Sequence, residues 1–164
     1  MVASIHIDIT RQELRLYGDG DGDGHALLAC YPVSTALNGP GETHGSGCTP
    51  RGLHRVRAKI GEGCAPSTVF VGRRATGEVY GPDLAAAHPC RDWILTRILW
   101  LTGCEPGINR GGAVDTLRRY IYIHGCPDDC LMGVPLSHGC VRMRNADVVE
   151  LFEAVCVGAA VHIG

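Results

Sequence analysis

Glycine is the residue that most limits what this chain can fold into. The sequence contains 23 glycines among 164 residues, about twice the usual share of roughly 7%, while aromatic residues make up only 5%. Glycine weakens helices and permits tight turns. This composition therefore favours many short strands joined by turns over a helical bundle. The length suits one domain over residues 1–164.

Alternating apolar residues predict several short strands. Ile5, Ile7 and Ile9 alternate with polar neighbours, and the segment from Glu13 to Tyr17 repeats this pattern. A period of two is typical of a half-buried strand. Further strands are predicted at 26–33, 54–60, 69–71, 78–80, 120–123 and 161–163. The apolar run 93–101 fits a buried strand or a helix, because periodicity does not separate them at this length.

One helix is predicted from Asn145 to Val155. Asn145 is a favourable N-cap residue, and an acidic residue follows in the first turn. Apolar residues recur at helical spacing along one face, namely at Val148, Leu151, Phe152 and Val155. Gly158 is expected to end the helix. Together these patterns predict a mainly β domain with one or two helices.

The segment Gly18–Gly24 alternates glycine with aspartate. Both residue types tolerate positive φ, so the segment predicts a hairpin turn. The spacing of Asp19, Asp21 and Asp23 also matches the first half of a calcium loop. Such a loop needs a bidentate glutamate at its twelfth position, where this chain has Cys30. A turn is therefore favoured.

Charge and hydropathy disfavour some classes of partner. The net charge is −2, which disfavours nucleic acid as a partner. No apolar run approaches the roughly 18 residues of a membrane span. The N-terminus lacks the basic and apolar regions of a secretory signal. A cytosolic location, removal of a signal and export by another route all remain open.

Nine cysteines form an odd count, so at least one thiol is unpaired in a monomer. Cys140 stands in Ser137-His138-Gly139-Cys140, shortly before the predicted helix, and His124-Gly125 ends a predicted strand. A thiol whose pKa is lowered by a helix N-terminus, a histidine base and backbone donors are the components of cysteine nucleophilic catalysis.

Two other interpretations of these residues remain open. Most cysteines are inert small apolar residues. His124, His138 and Cys140 could instead bind zinc, with Cys126 or Cys130 as the fourth ligand. Recognisable zinc spacings are absent, so neither a metal nor a cofactor is predicted.

The motif resembles that of the L,D-transpeptidase (YkuD-type) catalytic domain. That family has His-Gly, a spacer, and then Ser-His-Gly-Cys-x-Arg-x-x-Asn. Every position is present here, as His124, Gly125, Ser137, His138, Gly139, Cys140, Arg142 and Asn145. The similarity extends from about residue 4 to residue 163, beginning with Ile-x-Ile-Asp-Ile-x-Arg-Gln-Glu-Leu-x-Leu-Tyr at Ile5.

The resemblance implies a β-sandwich carrying a cysteine acyltransferase that acts on peptidoglycan stem peptides in the cell envelope. The family reaction forms 3→3 cross-links through a thioester and releases the terminal D-amino acid. Carbapenem-type β-lactams are the implied covalent inhibitors. L,D-carboxypeptidase or D-amino-acid exchange activity is the enzymatic alternative, and a thiol-rich metal or redox-sensing domain is the non-enzymatic one.

The resemblance also implies roles for individual residues. Cys140 would be the nucleophile and His124 the base, oriented by the Gly125 carbonyl. The backbone amides of Gly139 and Cys140 would form the oxyanion hole. His138 would also belong to the catalytic set, and the expected substrate-binding residues are Ser137, Arg142 and Tyr122. Arg142 would either hold the loop or pair with a stem carboxylate. Cys126 and Cys130 depart from the family pattern and could form a short disulfide.

Overall fold

Strands dominate the computed structural model, which describes residues 2–20 and 24–164. The strands in chain order are β1 (Val2–Asp8), β2 (Glu13–Asp19), β3 (His25–Pro32), β4 (Gly52–Ile60), β5 (Thr68–Val71), β6 (Arg74–Val79), β7 (Ile94–Gly103), β8 (Tyr122–Gly125), β9 (Val141–Met143) and β10 (Ala160–Ile163). The helices are α1 (Pro82–Ala87) and α2 (Asn145–Ala154). The predicted mainly β class with one or two helices is confirmed.

The ten strands of the described residues belong to one mixed sheet. Its main path is β3-β2-β1-β10-β4-β7-β5-β6, and β8 branches from β7 to pair with β9. The run 93–101, which the sequence left open, is a strand, because β7 pairs with β4, β5 and β8. The pairs β1–β10 and β8–β9 are parallel. The last of these pairs positions the candidate site.

The main core lies between the sheet and α2. Ile5 and Ile7 on β1 and Leu14 and Leu16 on β2 are almost completely buried, as alternation predicts. The predicted apolar face of α2 is buried against them, with Val148, Leu151, Phe152 and Val155 each at most 2% exposed. Burial of these side chains holds α2 against the sheet.

Two predicted features of α2 are wrong. The N-cap is Arg144, without a side-chain cap hydrogen bond, and Asn145 is the first helical residue. The Asn145 side chain bonds instead to the loop after β8, where it donates to the Cys126 carbonyl at 2.8 Å. The helix ends at Ala154, so Gly158 does not terminate it.

Several short elements differ from the predictions. Helix α1 was not predicted, because it has only six residues and none of them is buried. The strand predicted at 78–80 occupies Arg74–Val79, and β9 has only three residues. The β2–β3 pairing places Asp19 opposite His25. Asp21 and Asp23 of the predicted turn lie outside the described residues.

No helix in the described ranges is long and apolar enough to span a membrane.

Candidate active site

A cavity of about 390 Å³ lies at the branch of the sheet where β7, β8 and β9 meet. Six of the eight site residues expected from the sequence line it, and Gly125 and Gly139 directly adjoin two of them. The lining residues are Gly72, Arg73, Asp92, Ile94, Arg119, Tyr120, Ile121, Tyr122, His124, Ser137, His138, Cys140 and Arg142.

The parallel pairing of β8 and β9 brings the two halves of the motif together. His124 lies opposite Arg142 in the register, so Cys140 lies beside the start of β8. The Tyr122 backbone N–H donates to Cys140 Sγ at 3.3 Å. Tyr122 and His124 project from the same face of β8, since they are two residues apart. The thiol and the imidazole therefore share one cavity wall.

The hydrogen bond of His124 determines its tautomer. Its Nδ1 lies 2.6 Å from the Gly125 carbonyl oxygen, and a carbonyl can only accept, so the proton is on Nδ1. The other ring nitrogen, Nε2, is then unprotonated in the neutral ring. Burial lowers the pKa of His124, although the Gly125 carbonyl opposes this effect. The geometry thus provides a neutral imidazole with an available acceptor.

The Cys140 thiol is a hydrogen-bond donor in this arrangement. Sγ lies 3.4 Å from the Tyr120 carbonyl oxygen, to which it donates. Burial raises the pKa of the thiol to about 12, and the Tyr122 N–H only partly offsets that. The expected lowering of its pKa by a helix N-terminus is wrong. Strand β9 separates Cys140 from the start of α2 at Asn145, and the helix field acts only over its first turn.

Hydrogen bonds hold the segment that carries Cys140. The Ser137 hydroxyl donates to the Cys140 carbonyl at 2.5 Å, and the buried Thr49 hydroxyl donates to the Gly139 carbonyl at 2.9 Å. Gly139 has φ +132°, in the region that favours glycine. The Gly139 N–H lies 3.3 Å from Ser137 Oγ. It therefore already has an acceptor here, which a substrate oxygen would have to replace.

Close packing explains why residue 125 is glycine. A Cβ there would lie 2.5 Å from Asn145 Oδ1 and 2.6 Å from the Leu95 carbonyl oxygen. Asn145 is in turn fixed by hydrogen bonds to Thr96 and to the loop after β8. The Gly125 backbone, including the carbonyl that contacts His124, is thus held from both sides.

Asp92 is a site residue that the sequence analysis missed. Its carboxylate contacts Arg142 Nη2 at 3.0 Å and His138 Nδ1 at 3.2 Å. Burial opposes its charge, but the His138 hydrogen bond and the Arg142 charge outweigh burial and lower the pKa of Asp92. No motif surrounds Asp92, and it is distant in sequence from both partners, so only the fold reveals this role.

Arg73 and Arg119 were also missed. Arg73, after the β5 strand, donates to the Tyr122 hydroxyl at 3.0 Å and stacks on the rings of Trp100 and Tyr120, at 4.8 and 4.6 Å. Arg119 donates to the loop that precedes β4, including the Cys48 carbonyl at 2.6 Å. Burial raises the pKa of Tyr122, so its phenol remains a neutral donor toward the cavity.

All nine cysteines are free thiols, so the short disulfide considered for Cys126 and Cys130 is not formed here. The Cys126 thiol donates to the Met143 carbonyl at 3.4 Å, and the interaction between the two thiols lowers the pKa of Cys130 and raises that of Cys126. Within the described residues, no group of three or more His, Cys, Asp or Glu side chains is arranged to hold a metal ion. The zinc alternative therefore has no ligand set there.

Comparisons with known proteins identify the family of this chain. The family model of the YkuD L,D-transpeptidase catalytic domain matches residues 3–163. A probable L,D-transpeptidase, YbiS of Escherichia coli strain K12, is 46% identical over 46 residues, which are 28% of this chain and 15% of YbiS.

Solved structures show the same fold. An L,D-transpeptidase from Enterococcus faecium aligns over 100% of this chain and 50% of its own, with 15% identity and a TM-score of 0.57. A faropenem-derived adduct of L,D-transpeptidase 3 from Mycobacterium tuberculosis aligns over 99% of this chain and 59% of its own, with 16% identity and a TM-score of 0.54. The chain thus spans 50% and 59% of the length of these two neighbours, and its match covers 15% of YbiS.

The fold and the cavity together define a mainly β domain built around a cysteine, a histidine and a backbone carbonyl. Because the family model covers almost the entire chain, the chain belongs to the L,D-transpeptidase (YkuD-type) catalytic domain family.

Proposed function

We propose that the domain is a cysteine acyltransferase that forms 3→3 cross-links between peptidoglycan stem peptides. The observation that carries this proposal is the shared cavity of Cys140 and His124, with the His124 proton held on Nδ1 by the Gly125 carbonyl. This tautomer leaves Nε2 free to accept the thiol proton, as a general base requires.

The first half-reaction acylates Cys140. The thiol proton passes to His124 Nε2 while Sγ attacks the carbonyl carbon at the L-centre of diaminopimelate. The C–N bond to the terminal D-alanine breaks, and His124 returns the proton to the departing amine. Burial disfavours both the thiolate and the imidazolium, so proton transfer accompanies attack instead of preceding it.

The second half-reaction regenerates the thiol. The amine of a neighbouring stem attacks the thioester carbonyl, the C–S bond breaks, and the displaced sulfur recovers a proton through His124. The oxyanion formed in each half would bind the Cys140 and Gly139 amides. For Gly139, the oxyanion would replace Ser137 as the acceptor, and such donors contribute about 3 kcal/mol each to transition-state stabilisation.

The other expected residues have supporting contacts. Ser137 holds the Cys140 carbonyl, and the Tyr122 phenol is available to donate to bound substrate. His138 is exposed beside Asp92 at the cavity. Arg142 is held by Asp92 and the Leu136 carbonyl, which favours its loop-holding role over binding a stem carboxylate. The proposed substrate requires that the enzyme act in the cell envelope.

Product analysis tests the reaction. The protein is incubated with disaccharide-tetrapeptide stems that contain diaminopimelate, and products are separated and weighed by mass spectrometry. We expect a cross-linked dimer joined 3→3 and one released D-alanine per bond. Shortened monomer without dimer would assign carboxypeptidase activity instead, and unchanged substrate would refute both activities. Cys140→Ala is the inactive control, and Cys156→Ala, an exposed thiol outside the cavity lining, is the matched active control.

A further inference from the structure

We propose that Arg73 is a specificity-determining residue that binds a carboxylate of the donor stem. The observation is a guanidinium group in the wall of the Cys140 cavity that has unused N–H donors and, among the described residues, no carboxylate partner. This inference rests on the proposed function, because the carboxylate belongs to the stem that Cys140 attacks.

The charge distribution of the cavity favours an anionic ligand. Its lining contains three arginines, Arg73, Arg119 and Arg142, but only one acidic residue, Asp92. Asp92 already contacts Arg142 at 3.0 Å. Two positive charges of the lining are therefore left without a carboxylate in the wall, and uncompensated charge in a concave site attracts ligands of opposite sign.

Arg73 is better placed than Arg119 to use that charge on a ligand. Arg119 donates to three backbone carbonyls and to the Ser46 hydroxyl, so its guanidinium is engaged by the chain. Within residues 2–20 and 24–164, Arg73 forms no ion pair, and the Tyr122 hydroxyl is the one hydrogen-bond acceptor of its guanidinium. An arginine has five N–H donors, so most of those of Arg73 remain available.

The aromatic contacts of Arg73 fix its position. The guanidinium carbon lies 4.8 Å from the Trp100 ring centroid and 4.6 Å from that of Tyr120. Stacking of this kind restricts the side chain without using its in-plane donors. A pre-positioned planar fork is suited to a carboxylate, which it can bind through two parallel hydrogen bonds.

The donor stem carries two candidate carboxylates. One is on the side chain of diaminopimelate, and the other is the C-terminal carboxylate of the terminal D-alanine. Three synthetic donors separate these sources: one with both carboxylates free, one with the side-chain carboxylate of diaminopimelate amidated, and one with a carboxamide on the terminal D-alanine. The rate of amine release is measured for each donor with wild-type protein, Arg73→Gln and Arg73→Lys. Arg74→Gln is the matched control, because Arg74 is the exposed neighbour on β6 and does not line the cavity.

We expect kcat/KM of the wild type to be about tenfold higher for the donor with both carboxylates free than for one of the amidated donors. A difference of this size corresponds to the loss of a charge-assisted hydrogen bond. Arg73→Gln should reduce that preference to near unity by raising KM for the free donor. Arg73→Lys should restore part of the preference, and Arg74→Gln should retain all of it. A purely structural role of Arg73 would lower the rates for all donors equally and leave the preference unchanged.

The outcomes separate the two proposals. If wild-type protein releases no amine from any donor, the proposed function is wrong and the inference fails with it. If wild-type protein turns over the donors but Arg73→Gln keeps the wild-type preferences, the inference alone is wrong. Loss of one preference in Arg73→Gln supports the inference and identifies the carboxylate that Arg73 binds.

Discussion

Replacing Asp92 with asparagine tests the charged contact that joins the β6–β7 segment to the segment that carries Cys140. The Arg142 side chain is only 14% exposed and the Asp92 side chain 45% exposed. A hydrogen bond to a charged group contributes about 1.5–3 kcal/mol, and an exposed ion pair contributes about 0–1 kcal/mol. Because Asp92 is half-exposed, we expect Asp92→Asn to lower the free energy of unfolding by about 1–1.5 kcal/mol at pH 7.

The pH dependence of this loss identifies its origin. The contacts lower the pKa of Asp92 below its ordinary value of 3.8. Its stabilisation is therefore complete above that value and is lost as pH falls through the lower pKa of the folded state. Urea unfolding is measured between pH 7 and pH 3 for wild type, Asp92→Asn and the control Asp129→Asn, at an exposed site. The Asp92→Asn deficit should shrink toward pH 3. An equal deficit at every pH would refute the charge-based reasoning.

Three further predictions concern the site itself. Gly125→Ala should lower the free energy of unfolding by about 1–3 kcal/mol through overpacking, as measured by thermal or urea unfolding. Gly81→Ala should lower it far less, because a Cβ at residue 81 has no neighbour within 4 Å. Similar losses in the two variants would contradict the packing argument. His124→Ala should lower turnover about 10²–10⁴-fold and His138→Ala much less, so equal losses would contradict the base assignment. The rate of Cys140 alkylation, followed on its peptide by mass spectrometry, should still increase with pH above pH 9, because burial raises the pKa of the thiol to about 12. A rate that becomes constant near pH 7 would instead indicate a thiolate–imidazolium pair.

Local patterns predicted most of the elements. Alternation identified β1 and β2, and helical spacing identified the buried face of α2, because both signals reflect burial on one side. The short elements α1 and β9 gave no such signal. The run that became β7 was ambiguous because it is buried almost throughout. Its strand conformation results from pairing with three other strands, which is information that a local window does not contain.

The candidate site likewise contains residues that local sequence patterns identify and residues that they do not. The residues of the two motif segments, such as His124 and Cys140, could be selected from the sequence because they are close to one another and resemble a family signature. Asp92, Arg73 and Arg119 could not, because each lies outside the two motif segments and only the tertiary fold brings it to the cavity. The pKa of Cys140 was also mispredicted. Its direction depends on burial and on the intervening strand β9, and neither is visible in the motif.

The central claim is that Cys140 is the nucleophile of an acyltransferase. Its most direct test is the intact mass of the protein after incubation with a carbapenem, with the modified peptide mapped by fragmentation. We expect one adduct per chain, located on Cys140 and absent from Cys140→Ala, while Cys126→Ala still forms it. No adduct on the wild type, or an adduct of equal yield on Cys140→Ala, would contradict the account.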